Sequence, residues 1–270
     1  MSNKKYIVNE DFFKIKNLNE KSAYVLGWIM SDGCIQFIPN KKYCIRFDLK
    51  DIEALELIKT LMDSTHPIRT IKNRNTYQLT IDSKKLVKQL LDLGITPAKT
   101  YTLKLPDIEH SLYQHLIRGY FDGDGSVMLL NKKNNRKQLI SYICSINKDF
   151  LFEIGNIIKE NTDNIIRIYK DKENFYKLRY GAKESFAFYK YMYNNCNYFL
   201  KRKKDIFEQG IEIKAGIGLM NCTICNKEIV RTSGRKKYCK DCLKEVLIKR
   251  ERARNKIRRQ KSMSQEVLDD

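Results

Sequence analysis

The sequence has no run of the roughly 18 apolar residues that a bilayer-spanning helix requires. Its opening, MSNKKYIVNEDFF, has no apolar core of the kind a secretory signal carries. The expectation is a protein that is not secreted and not embedded in a membrane, located in the cytoplasm or wherever the host genome resides. Histidine is scarce. His66, His110 and His115 have neither zinc-ligand nor HNH-type spacing, so they read as cap, loop or packing residues. Acidic residues are also in short supply, with 32 Asp and Glu against 52 Lys and Arg, for a net charge of +20. That imbalance fits a polyanionic partner, nucleic acid before an anionic membrane surface. With 42% hydrophobic residues over 270 positions, the chain can bury one large core or two moderate ones. Trp28, the single tryptophan, is expected in that core.

Hydrophobic periodicity gives an order of elements that occurs twice. NEKSAYVLGWIM reads as a helix capped by Asn19, followed by strands at CIQFI and KYCIRFDL. DIEALELIKTLM is a helix with Asp51 as its cap, and HPIRTIKN and NTYQLTID form a hairpin across KNRN. SKKLVKQLLDLG is a helix capped by Ser83 and closed by Gly94. From SLYQHLIRGYFDGDG the series returns: helix, two strands around the loop NKKNNR, helix, hairpin, helix. Each half is αββαββα. Gly27 and Gly119 lie 92 positions apart, as do Asp32 and Asp124, so the chain holds a duplicated subdomain. The fold class is α+β. The divisions expected are 1–110 (lead-in and first subdomain), 111–207 (second subdomain), a flexible linker at 208–221, and a small module at 222–270.

Both repeats place a glycine inside an apolar helix, where it costs about 1 kcal/mol relative to alanine. Such a glycine lets another backbone come close, and the duplication makes the partner helix the natural neighbour. Packing through Gly27 and Gly119 brings the helix ends together, so that Asp32 and Asp124 share one surface. Two adjacent carboxylates repel and call for a cation. Hard divalent ions take oxygen ligands, and ions so held activate water and stabilise the leaving oxygen of a phosphodiester.

The stretches VLGWIMSDG and IRGYFDGDG resemble the two LAGLIDADG signatures of homing endonucleases in their single-chain form. The resemblance covers about 185 residues, Lys21 to Phe207. In the first copy Met30 stands where the earlier Asp of the motif is usual, and Ser31 replaces Ala; the second copy keeps Asp122. The resemblance implies two subdomains whose sheets form a saddle over double-stranded DNA, cut with Mg²⁺ or Mn²⁺. It implies Asp32 and Asp124 as the catalytic acids and metal ligands, with Gly33 and Gly125 beside them, and Gly27 and Gly119 as the helix interface. It implies basic residues near the site, Lys203 first, Lys201 next, and Lys99 in the first half. Base-reading residues are expected on the wet strand faces: Arg46, Arg69, Lys72, Arg74, Gln78, Arg167, Lys177 and Arg179. A monomer suffices, since one chain carries both motifs. The gene expected is a mobile intron or a free-standing element. The ends, Met-Ser and Asp-Asp, lack the residues protein splicing needs, which disfavours an intein. The alternative on the same fold is a binding protein that does not cut, either a transcriptional regulator or a maturase acting on intron RNA.

Of eight cysteines, Cys34, Cys44, Cys144 and Cys196 are scattered and read as small buried hydrophobes. Cys222, Cys225, Cys239 and Cys242 form CxxC-x13-CxxC, the spacing of a structural Zn²⁺ site with four thiolates. A redox CxxC belongs at a helix start in a thioredoxin-like unit, and no such unit precedes it. After Cys242 comes LKEVLIKRERARNKIRRQK, a basic helix expected to add DNA contacts, and a final SMSQEVLDD expected to be irregular.

Overall fold

The computed structural model describes residues 5–39, 41–132, 136–172, 174–214, 219–230 and 237–266. Two compact units emerge, Met1–Gln209 and Gly210–Asp270. In the first, α1 (Glu20–Ser31), β1 (Gly33–Ile38), β2 (Lys42–Leu49), α2 (Ile52–Leu61), β3 (Ile68–Ile71), β4 (Thr76–Asp82) and α3 (Lys84–Asp92) make one αββαββα set. The second set is α4 (Tyr113–Asp124), β5 (Gly125–Lys132), β6 (Arg136–Ser145), α5 (Lys148–Asn161), β7 (Ile168–Lys172), β8 (Phe175–Tyr180) and α6 (Ala182–Tyr193), after which α7 (Lys201–Lys214) begins. Each set folds one antiparallel sheet, ordered β1-β2-β4-β3 and β5-β6-β8-β7. Most of the NKKNNR loop lies outside the described residues.

Local chemistry explains most boundaries. Asn19 accepts the Lys21 and Ser22 amides while the Ser22 hydroxyl accepts the Asn19 amide, a reciprocal cap on α1. Ser83 caps α3 through the Leu86 amide, and Gly94, at φ +78°, lets the chain turn out of that helix. Asp51 does not cap α2; its carboxylate instead lies 3.1 Å from Arg202 Nε at the start of α7. A salt bridge to a residue 151 positions away outcompetes the local amide. The expected linker also begins later than its glycines suggest. Helix formers around Gly210 carry α7 through Lys214, and β9 starts at Leu219.

The strands alternate as their sequences dictate. On β2, Ile45, Phe47 and Leu49 are buried in the core, while Lys42 and Asp48 are exposed. Gly33 pairs with Phe47 and Gly125 with Ile143, which makes the two sheets equivalent residue by residue. Of the scattered cysteines only Cys44 is fully buried. Cys34 is exposed, because it sits opposite Arg46 on the wet side of β1.

Between the sets lies a polar lock that local patterns do not reveal. Arg118, fully buried on α4, donates to the Tyr198 carbonyl (2.7 Å), the Met192 carbonyl (2.9 Å) and Glu20 Oε1 (3.1 Å). Tyr24 on α1 donates to Asp122 Oδ2 on α4 at 2.7 Å, and the same oxygen accepts the Leu200 amide just before α7. Asp122 thus holds the packing between sets, and Met30 fills the corresponding place with apolar volume.

The second unit has a hairpin of β9 (Leu219–Asn221) and β10 (Glu228–Val230) and a long helix, α8 (Lys240–Glu266). The stretch expected to be irregular continues α8 as far as Glu266, since it holds no glycine or proline to stop a helix; 267–270 lie outside the described residues.

Candidate functional site

The motif helices meet through their glycines. A Cβ built on Gly27 would strike the Leu116 carbonyl oxygen and the Tyr120 amide, and one on Gly119 would strike the Tyr24 carbonyl oxygen. Backbones this close admit hydrogen alone at both positions. The crossing delivers the helix ends to one place. A Cβ on Gly123 would fall 2.6 Å from Asp32 Oδ2, so the Asp32 carboxylate rests on the residue preceding Asp124. Gly123 therefore belongs to the site, although only the doubled Asp-Gly of the second motif hinted at it.

Both carboxylates keep access to solvent, while the protein packed around them strips away part of their hydration. Burial raises Asp32, against the pull of Lys203 and Lys99. Burial, and then the charge of Asp32, pushes Asp124 up to about 6, with Tyr120 and the two lysines in opposition. The lysines are held in matching ways. Lys99 Nζ donates to the Gly33 carbonyl at 2.5 Å, and Lys203 Nζ donates to the Gly125 carbonyl at 2.7 Å. Lys203, 4% exposed, also donates to the Phe121 and Asp122 carbonyls at 2.6 and 2.7 Å, closing the end of α4 with its ammonium. Burial draws its pKa down to about 8 and lowers that of Lys99 as well. Lys201 takes no part: it is exposed and paired with Asp205 at 2.8 Å. A cavity of about 270 Å³ opens beside Asp124, lined also by Ser31, Thr100, Tyr120 and Cys144.

The raised Asp124 pKa sets a pH signature of stability. The folded state holds this proton to about pH 6 and the unfolded chain only to about 4, so the site's contribution is largest at low pH and is lost as pH rises from about 4 to about 6. In metal-free buffer, Asp124→Asn, which has no proton to lose, is expected to gain stability relative to the parent as pH rises across that window. Urea melts of both proteins at several pH values check this, and a constant difference would count against the pairing of the two acids.

The predicted strand residues divide into groups. Arg46, Arg69 and Gln78 line a pocket of about 300 Å³ on the wet face of the first sheet, together with Gln36, Lys42 and Thr80. Asp48 organises it, 3.0 Å from Arg46 Nε and accepting Gln78 Nε2 at 2.7 Å. Lys72 and Arg74 are exposed in the β3–β4 turn. On the second sheet Arg179 is exposed, and Lys177 lies over the Tyr142 ring while pairing with Asp171 at 2.8 Å. Arg167 precedes β7 rather than lying in it, and pairs with Glu184 of α6 at 2.9 Å. That charge pair, invisible in the local pattern, draws it off the strand face.

In the second unit, Cys222, Cys225, Cys239 and Cys242 have their Sγ atoms within 4.8 Å of one another. Zinc–sulfur bonds of about 2.3 Å imply a tetrahedron with edges of about 3.8 Å, and Cys225 Sγ to Cys239 Sγ is 3.7 Å. The Cys239 amide donates to Cys222 Sγ at 3.3 Å and the Cys242 amide to Cys239 Sγ at 3.4 Å. Backbone amides, that of Cys225 foremost, hold the Cys222 thiol near 6, so it is a ready thiolate. The four residues fit zinc. One zinc per chain is expected, and chelation or Cys239→Ser should unfold the unit, since structural sites of this kind contribute about 10 kcal/mol or more to folding. Zinc release followed with a colorimetric chelator, alongside far-ultraviolet circular dichroism, tests this; full helix content without zinc would refute it.

No family model matches the chain. A reverse gyrase of Methanocaldococcus jannaschii is 27% identical over 233 residues, which is 83% of this chain but only 13% of the gyrase. Among solved structures, the LAGLIDADG meganuclease I-AabMI bound to uncleaved DNA matches with a TM-score of 0.50 at 15% identity, over 74% of this chain and 93% of that one. The meganuclease I-SmaMI, bound to uncleaveable DNA, matches with a TM-score of 0.52 at 12% identity, over 72% of this chain and 90% of that one.

Proposed function

For a chain with the LAGLIDADG fold, we propose the function of a site-specific double-strand DNA endonuclease that hydrolyses phosphodiesters with a divalent metal. The observation that carries this reading is the Asp32 carboxylate resting on Gly123, beside Asp124, at the point where the two sheets begin. Asp32 and Asp124 offer the carboxylate oxygens that Mg²⁺ or Mn²⁺ takes, while the Gly33 and Gly125 carbonyls are engaged by Lys99 and Lys203 and would join the ion only by releasing them. Bound there, such an ion supplies an activated water and stabilises the leaving oxygen. Lys99 and Lys203 hold positive charge beside both acids, where the phosphate charge develops. The two solved relatives named above are bound to DNA, which supports the same partner for this chain.

On this reading residues 1–110 and 111–207 are the two DNA-contacting subdomains, working as a monomer, and 222–270 is the zinc module. Arg46, Arg69 and Gln78 in the first, with Lys177 and Arg179 in the second, address base edges in the major groove. Lys72 and Arg74 reach the flanks, and Arg167 joins only by leaving Glu184. The test is incubation of a randomised duplex library with Mg²⁺ and sequencing of the ends. A discrete double-strand cut supports the nuclease. Specific binding to DNA or to an intron RNA without any cut would replace it with a regulator or a maturase on the same fold.

A further inference from the structure

The second unit carries a charge that it does not balance. Over Lys240–Glu266, α8 has ten Lys and Arg against four Asp and Glu. Lys240, Lys244, Lys249, Arg250, Arg252 and Arg254 are all exposed, and none is ion-paired among the described residues. Arg250 and Arg254 stand four positions apart, a spacing at which like charges weaken a helix. A helix of this kind repels itself until a polyanion neutralises it. Its first turn, though, is fixed. Cys239 and Cys242, at the start of α8, belong to the four-thiol cluster, so a zinc ion would anchor the basic rod at one end.

The form of the polyanion follows from the helix. At 27 residues α8 is about 40 Å long, somewhat more than one turn of B-DNA. The major groove of B-DNA admits an α-helix, whereas the deep, narrow major groove of A-form RNA does not. The exposed apolar residues of α8, Leu243, Leu247 and Ile248, are confined to its first turns; from 249 to 261 only Ala253 and Ile257 are apolar, so the charged stretch offers no apolar face to a bilayer and a lipid surface is disfavoured.

We propose that the four-thiol cluster and α8 form a second DNA-binding site, a zinc-anchored module that grips duplex phosphates with little regard for sequence. It goes beyond the endonuclease reading and does not depend on cleavage. Carried on the same chain as the first unit, it raises the local concentration of duplex there and so tightens every complex the chain makes.

The experiment uses the full chain with Lys244, Lys249, Arg250, Arg252 and Arg254 all changed to Gln. Fluorescence anisotropy without divalent metal measures its affinity for a labelled DNA duplex between 50 and 300 mM NaCl, while zinc content and circular dichroism confirm an intact unit. The expected result is a 10- to 100-fold loss of affinity on unrelated duplexes, with a salt slope shallower by about 0.9 for each phosphate contact removed. The readout is binding without divalent metal, so it does not involve cleavage, and a failure of the nuclease reading stays distinguishable from a failure of this one. An unaltered slope overturns the proposal. So does a loss confined to an RNA hairpin, or one seen only on vesicles rich in phosphatidylserine.

Discussion

Asp32→Asn and Asp124→Asn are each expected to lower double-strand cleavage by about a thousandfold or more while leaving duplex affinity in metal-free buffer within a few-fold of the parent. Asparagine keeps the shape and one oxygen but removes the charge that holds a divalent ion, and a loss of that size corresponds to about 4 kcal/mol of transition-state stabilisation. The fold should not suffer. Asp124 is raised in part by Asp32, so neutralising either acid relieves a repulsion. A variant that has lost cleavage but melts no earlier than its parent separates a metal ligand from a structural residue. Equal cleavage by parent and variants would end the nuclease reading. Nicking of one strand by either variant would show that each acid serves its own strand.

The second large effect concerns Gly119. Gly119→Ala places a methyl group on the Tyr24 carbonyl and 3.2 Å from Gly27 Cα, with backbone on every side and no flexible side chain to yield. Alanine's helix preference, worth about 1 kcal/mol, acts in the opposite direction. Overpacking between two rigid backbones outweighs it, and a net loss of about 2–4 kcal/mol is expected, or roughly 5–15 °C in melting temperature. Gly94→Ala is the control. That glycine is at φ +78° with nothing within 4 Å of its Cβ position, so only conformational strain of about 1 kcal/mol applies. If Gly119→Ala melts no lower than Gly94→Ala, the helices do not cross as described. Cleavage should fall further than stability alone accounts for, since a shift of the crossing separates Asp32 from Asp124.

What was legible in the sequence is what short-range spacing encodes. The Asn19 and Ser83 caps, the alternation of β2 and each CxxC rest on neighbours within a few residues, the repeat of 92 positions is the recurrence of such local patterns, and each holds. Gly27 and Gly119 were legible because the repeat supplied the partner. Arg118 was not. It looks like one more cation on a basic chain, yet it is buried by carbonyls of Met192 and Tyr198 that only the fold brings near. The same holds for Asp51, taken by Arg202, for Arg167, taken by Glu184, and for Lys201, which the helical turn of α7 aims at Asp205 while Lys203 faces the acids. Long-range charge pairing decided each, and no local pattern carries that information.

The equivalence of the two sheets has a consequence for direction. Matching positions on their wet faces carry different chemistry. Arg46 corresponds to Tyr142 and Asp48 to Cys144, while their partners Thr80 and Gln78 correspond to Arg179 and Lys177. A scaffold built on near-twofold symmetry therefore presents an asymmetric surface. On the proposed DNA-binding reading, a duplex lying across both sheets meets different side chains at matching positions of the two halves, so turning it end for end yields a different complex. On that reading the address is written with a left and a right, and a palindrome would satisfy only one side of it.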